Sequence, residues 1–208
     1  MKKTCFILLM TLLFSANIHA QEAYQQKGEI YLRPYAEIDF IDPPRFAYAL
    51  AENKSFSIEH YGFGISTDYG INTWSNIGLG IEAYGSHEGW TMNSMLGTTD
   101  RMVWTLPIYG NFRARLGNWK PITFSEVQLG YAFALNTVTV LPNQNIKAKG
   151  LFWGINLGLN FNNHEIILGG KCVPISGNLI NIHTGETTFQ KDIILNICLR
   201  YAYRIRVN

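Results

Sequence analysis

The chain has 208 residues, with 17 Lys+Arg against 15 Asp+Glu and 47% hydrophobic side chains. A balance this close to neutral supplies no basic footprint for nucleic acid, and the length fits one domain. Past the N-terminus no apolar run approaches the roughly 18 residues that a membrane helix needs, so a membrane crossing by this chain has to be made with strands.

The chain opens with Met1-Lys2-Lys3 and an apolar run from Cys5 to Phe14, the positive start and short oily stretch of a secretory signal. Cleavage is expected after Ala20, which makes 1–20 a signal peptide; losing Lys2 and Lys3 brings Lys+Arg down to 15, equal to Asp+Glu. Cys5 lies inside the apolar run and not directly after the cleavage point, so no lipid anchor is expected. Residues 21–28 read as a periplasmic N-terminal tail and 29–208 as one β domain.

In the first strand Ile30, Leu32, Pro34, Ala36, Ile38 and Phe40 alternate with Glu29, Tyr31, Arg33, Tyr35, Glu37 and Asp39, the period of two that a strand produces. Asp42-Pro43-Pro44 stops it and opens a long loop to Lys54. The second strand sets Tyr61, Phe63, Ile65, Thr67 and Tyr69 against Gly62, Gly64, Ser66 and Asp68; Phe56 and Ile58 have the wrong parity, which predicts a bulge or the loop edge. After a short connection at 72–76, the third strand opposes Ile77, Leu79, Ile81 and Ala83 to Gly78, Gly80, Glu82 and Tyr84.

A second long loop, Gly85 to Asp100, leads to a fourth strand with Met102, Trp104, Leu106, Ile108 and Phe112 outward and Thr105, Tyr109, Asn111, Arg113 and Arg115 inward. Gly117-Asn118-Trp119 turns the chain into a fifth strand, Val127, Leu129, Tyr131, Phe133 and Leu135 against Glu126, Gln128, Gly130 and Ala132. A third long loop is centred on Pro142 to Lys147, and the sixth strand follows, Leu151, Trp153, Ile155, Leu157, Leu159 and Phe161 against Gly154, Asn156, Gly158 and Asn160. Asn162-Asn163-His164 makes the next turn; the seventh strand, Glu165 to Ile175, alternates more weakly, and a fourth long loop spans Gly177 to Gln190.

The last strand, Ile193 to Val207, has Ile193, Leu195, Ile197, Leu199, Tyr201, Tyr203, Ile205 and Val207 on one face and Arg200, Arg204 and Arg206 on the other. One face asks for lipid and the other for polar partners, because an oily core takes no unpaired guanidinium. Pairing this strand with the first closes a sheet with no edge left in hydrocarbon. Eight strands, with short turns alternating with long loops, predict an all-β fold: an eight-stranded antiparallel up-and-down transmembrane β-barrel. Tyr31, Tyr69, Trp74, Trp104, Trp119, Trp153, Tyr201 and Tyr203 are placed in the aromatic girdles. A secreted lipocalin-like barrel is the alternative, and it inverts the two faces.

The segments Trp104 to Arg113, Val127 to Phe133 and Gly154 to Leu159 carry a resemblance: the chain resembles the small outer-membrane β-barrel proteins of the OmpA and OmpX type, and specifically the outer-membrane β-barrel domain proteins of Bacteroidetes. The resemblance covers most of 28–208 and implies an outer-membrane location in a Gram-negative bacterium, contact with outer-membrane lipids, and delivery by the barrel-assembly machinery. Such barrels often end in an aromatic residue that this machinery reads, whereas this chain ends Arg206-Val207-Asn208. Some relatives in this broad class are lipid A deacylases or acyltransferases, which sets an enzyme as the alternative function.

An eight-stranded barrel has room only for side chains inside, so the lumen is expected to be filled, with Glu37, Glu82 and Glu126 pairing with Arg113, Lys171, Arg200 or Arg204. His60, His87, His164 and His183 show no metal-ligand spacing, so no metal or cofactor is expected. Ser86-His87-Glu88 has the residue types of a hydrolytic triad, but neighbours on an extended chain point apart, and no His is followed two places later by Ser as the deacylase resemblance would require. Cys172 and Cys198 fall on opposite strand faces, against a disulfide. The expected function is non-enzymatic: envelope structure, or binding of an extracellular protein or glycan through a loop displaying Trp90, Met92, Met95 and Leu96.

Overall fold

The computed structural model of the chain describes residues 27–40, 58–87, 102–117, 120–141, 144–180 and 187–207. Their strands are β1 (Ile30–Phe40), β2 (Ile58–Gly70), β3 (Ser75–His87), β4 (Met102–Arg115), β5 (Ile122–Ala134), β6 (Val138–Leu141), β7 (Gln144–Ala148), β8 (Gly150–Phe161), β9 (His164–Ile180), β10 (Thr187–Tyr203) and β11 (Ile205–Val207). The wall is built from β1 to β5, β8, β9 and β10, with β11 continuing β10. Neighbours are antiparallel, and β1 pairs with β2 on one side and with β10 and β11 on the other. The result is a closed eight-stranded antiparallel barrel, and closure satisfies the backbone groups that an open edge would leave bare in lipid.

The period of two fixes what each face meets. Along β8, Leu151, Trp153, Ile155, Leu157, Leu159 and Phe161 are exposed, while Phe152, Asn156 and Asn160 are buried. Leu79 is 70% exposed, whereas Arg113 is fully buried. A wall with its largest apolar side chains outside and its guanidinium groups inside is stable only where the outer solvent is hydrocarbon. The lipocalin-like alternative, which needs the opposite arrangement, is therefore set aside.

Several boundaries differ from the sequence reading. The ladder between β1 and β2 shifts register where Asp39 faces His60 but Phe40 faces Ile58, a bulge that accounts for the parity of Ile58; Phe56 lies outside the described residues. The loop centred on Pro142 to Lys147 is in large part a hairpin of β6 and β7, with β7 pairing to β9 through Ile146↔Gly177. The supposed loop from Gly177 to Gln190 is mostly strand, since β9 runs to Ile180 and β10 starts at Thr187. The closing strand is not continuous to Val207. Its pairing with β1 stops between Tyr35↔Ala202 and Leu32↔Ile205, at Pro34, which has no N–H for a ladder. Pro107 coincides with a like gap in the β3–β4 ladder, between Ile81↔Ile108 and Tyr84↔Thr105.

Candidate functional site

The buried polar side chains form one ion-paired column inside the barrel. Toward the short turns, β1 and β4 supply Arg33 and Arg113, and the acids come from β2, β5 and β9. Arg33 holds Asp68 through Nε at 2.8 Å and reaches Glu126 at 3.1 Å and Glu165 at 3.3 Å. Arg113 grips the same two glutamates, Glu165 at 2.6 Å and Glu126 at 2.8 Å. Asn111 donates to Asp68, Asn160 to Glu165, and Gln128 and Asn156 to Glu126, so the remaining lone pairs have amide partners.

The next layer is centred on Lys171. Its ammonium is in close contact with Glu37, lies 2.8 Å from Glu82 and 3.4 Å from Asp39, and sits 3.7 Å from the centre of the Tyr84 ring. Arg200 donates from Nε and Nη2 to Glu37 at 2.9 and 2.8 Å and approaches Glu82 at 3.7 Å. It also reaches Glu126 at 3.5 Å, joining the two layers. Tyr35 donates to Glu82 at 3.1 Å and shares a 2.7 Å hydrogen bond with Tyr109. Above Lys171, Asn196 contacts Asp39, the Tyr84 hydroxyl and His60 Nδ1.

Cations also stack on rings, which gives them a further partner beside the carboxylates. Arg113 lies 3.9 Å from the centre of Phe124, Arg200 4.2 Å from Tyr35 and Arg204 4.0 Å from Tyr31. Apolar packing flanks the charges. Val103, Ala132, Ala148, Phe152 and Val173 pack with the rings of Tyr84 and Tyr109 toward the long connections, and Phe124, Ile167 and Ala202 with Tyr35 toward the short turns. Glycines make room for these rings: a Cβ on Gly80 would stand 2.3 Å from Tyr109, and one on Gly158 2.2 Å from Phe124.

Glu37, Glu82, Arg113, Glu126, Lys171, Arg200 and Arg204 all lie buried in this lumen. Arg204 reaches Glu165 at 3.5 Å. The sequence reading passed over Arg33, Asp39, Asp68 and Glu165, although their parity matches that of the residues it chose. Arg115, read as inward, lies at the rim, where Nε donates to Gly117 O at 2.5 Å. Tyr31, assigned to the girdle, is instead buried beneath Arg204 and donates to Glu29 at 2.5 Å. Arg206 is half-exposed and pairs with Glu29 at 2.7 Å.

Cys172 and Cys198 are both free and buried. Glu37, Asp39 and Cys198 converge closely enough to suggest a metal, but the Lys171 ammonium already sits against both carboxylates and opposes a second cation there. Trp90, Met92, Met95, Leu96, Glu88, Trp119 and His183 lie outside the described residues.

Fold and lumen together define a small membrane-spanning β-barrel whose described interior is lined by buried, ion-paired side chains. No protein-family model matches the chain, and no curated protein does. Among solved structures, it is similar to the outer membrane protein AlkL, studied by solid-state NMR in lipid bilayers, at a TM-score of 0.48 and 10% identity over 93% of this chain and 97% of that one. It is also similar to a de novo designed transmembrane β-barrel, at a TM-score of 0.42 and 8% identity over 87% of this chain and 98% of the other.

Proposed function

We propose that the protein is an integral outer-membrane barrel of the OmpA and OmpX type that works as a sealed, non-enzymatic anchor in the envelope. Its long connections face outward from the cell, where they meet an extracellular protein or glycan, and residues 1–20 are its cleaved export signal. The supporting observation is the lumen: Arg33, Arg113, Lys171 and Arg200 are each held by two or more carboxylates, with apolar packing on both sides of them. Ion pairs saturated in this way leave no mobile charge to relay ions, and an eight-stranded barrel has no spare width for a water column. Purified protein reconstituted in planar bilayers is the test. The expected result is an electrically silent membrane; steady conductance through the wild-type barrel would overturn the sealed-anchor reading.

A further inference from the structure

The rim of short turns carries charges that the lumen does not use. Its described ionic groups are Lys27, Glu29, Arg115, Lys120 and Arg206. Glu29 is engaged by Arg206 at 2.7 Å and by the Tyr31 hydroxyl, while Asp68 and Glu165 are turned inward to Arg33 and Arg113. Arg115, the last residue of β4, and Lys120, within the turn that leads to β5, therefore have no carboxylate partner among the described residues.

Arg115 is also held in place. Its backbone N–H donates to Trp74 O at 2.8 Å, its Nε donates to Gly117 O at 2.5 Å, and its guanidinium carbon stands 5.4 Å from the centre of the Trp74 ring. The terminal amino groups of its fork bond no described protein group. Beside it, Ile71, Trp74 and Leu116 are exposed at the strand ends. A soluble anion would explain the cations but not these apolar side chains, which belong at the depth where hydrocarbon gives way to headgroups. An anionic phospholipid explains both: its phosphate accepts from a pre-set guanidinium fork and from an ammonium on the same β4–β5 connection, and its acyl chains lie along Leu116 and Ile71.

We propose that Trp74, Arg115 and Lys120 form a binding site for the phosphate of an anionic phospholipid in the leaflet that meets the short turns. This site is independent of whether the lumen conducts.

The test uses the full barrel in nanodiscs of phosphatidylcholine and phosphatidylglycerol, with co-retained lipid counted by native mass spectrometry. Wild type is expected to retain phosphatidylglycerol selectively, and R115Q and K120Q each to lower that preference about fivefold. R206Q, whose cation is already paired with Glu29, is expected to leave it unchanged. Heat-modifiable migration on gels checks that each variant is folded, and K120Q alone suffices if R115Q does not fold. The site is refuted if wild type shows no preference, if folded K120Q keeps it in full, or if R206Q lowers it as much as R115Q does, which would indicate diffuse rim charge. Displacement of the lipid by millimolar inorganic phosphate would also refute it, since that marks a free-anion site.

Discussion

Replacing Lys171 with Met tests whether the lumen is dry. The ammonium touches three carboxylates, but their losses are unequal. Glu37 keeps Arg200 at 2.8 Å and Glu82 keeps it at 3.7 Å, whereas the cation that pairs with Asp39 among the described residues is Lys171 at 3.4 Å, and what remains to it are hydrogen bonds from the Tyr84 hydroxyl and, at 3.3 Å, from the Asn196 amide. The substitution thus strands about one carboxylate, and breaking a buried pair from one side costs about 3–5 kcal/mol. The charge balance sharpens the expectation: Glu37, Asp39, Asp68, Glu82, Glu126 and Glu165 are already one more than Arg33, Arg113, Lys171, Arg200 and Arg204. Removing the acid that loses most should restore stability, so K171M/D39N is expected to recover to within about 1 kcal/mol of wild type. K171M/E82Q should recover less. Urea titration of the refolded barrel in lipid vesicles, followed by tryptophan fluorescence, measures all three. A cost below about 1 kcal/mol for K171M, typical of water-screened pairs, or equal rescue by D39N and E82Q, would refute the dry network described here.

Leu129→Arg places a cation in the middle of the outer face of β5, where the leucine is 59% exposed. It should destabilise the barrel by about 2–4 kcal/mol in the same titration, while an effect within about 0.5 kcal/mol, as at a watery surface, would deny the lipid contact. Gly80→Ala drives a methyl group into the Tyr109 ring, 2.3 Å from its ideal Cβ. It is expected to cost about 1–3 kcal/mol through overpacking and to disturb the Tyr35–Tyr109 hydrogen bond; unchanged stability would mean that the ring is free to move.

The wall was legible because lipid and lumen are opposite solvents. Inside the membrane span, a residue such as Leu157 and its neighbour Asn156 have no choice of face, and the sequence records this as strict alternation. The hairpin of β6 and β7 and the upper parts of β9 and β10 carry no such strict alternation in their sequence, and therefore read as loops. Parity also placed Glu37, Glu82, Glu126 and their cations on one face. It did not identify partners, because a pair such as Arg33 and Glu126, on β1 and β5, meets only through closure and stagger of the barrel. Asp68 and Glu165 were easy to pass over, since they stand near strand ends where a charge usually finds water unaided. Only the fold shows that Arg33 and Arg113 reach them instead.

Pro34 divides the join between the first and last strands into two separate ladders, Ile30–Leu32 with Ile205–Val207 and Tyr35–Phe40 with Ala202–Ile197. A seam cut in this way resembles a fastening with two clasps. Each ladder can engage over a few residues while the other is still open, so the cylinder need not align its full closing edge in one event. The same division makes this line the natural place for the finished wall to breathe, because losing one short ladder leaves the other, and the rest of the cylinder, in register.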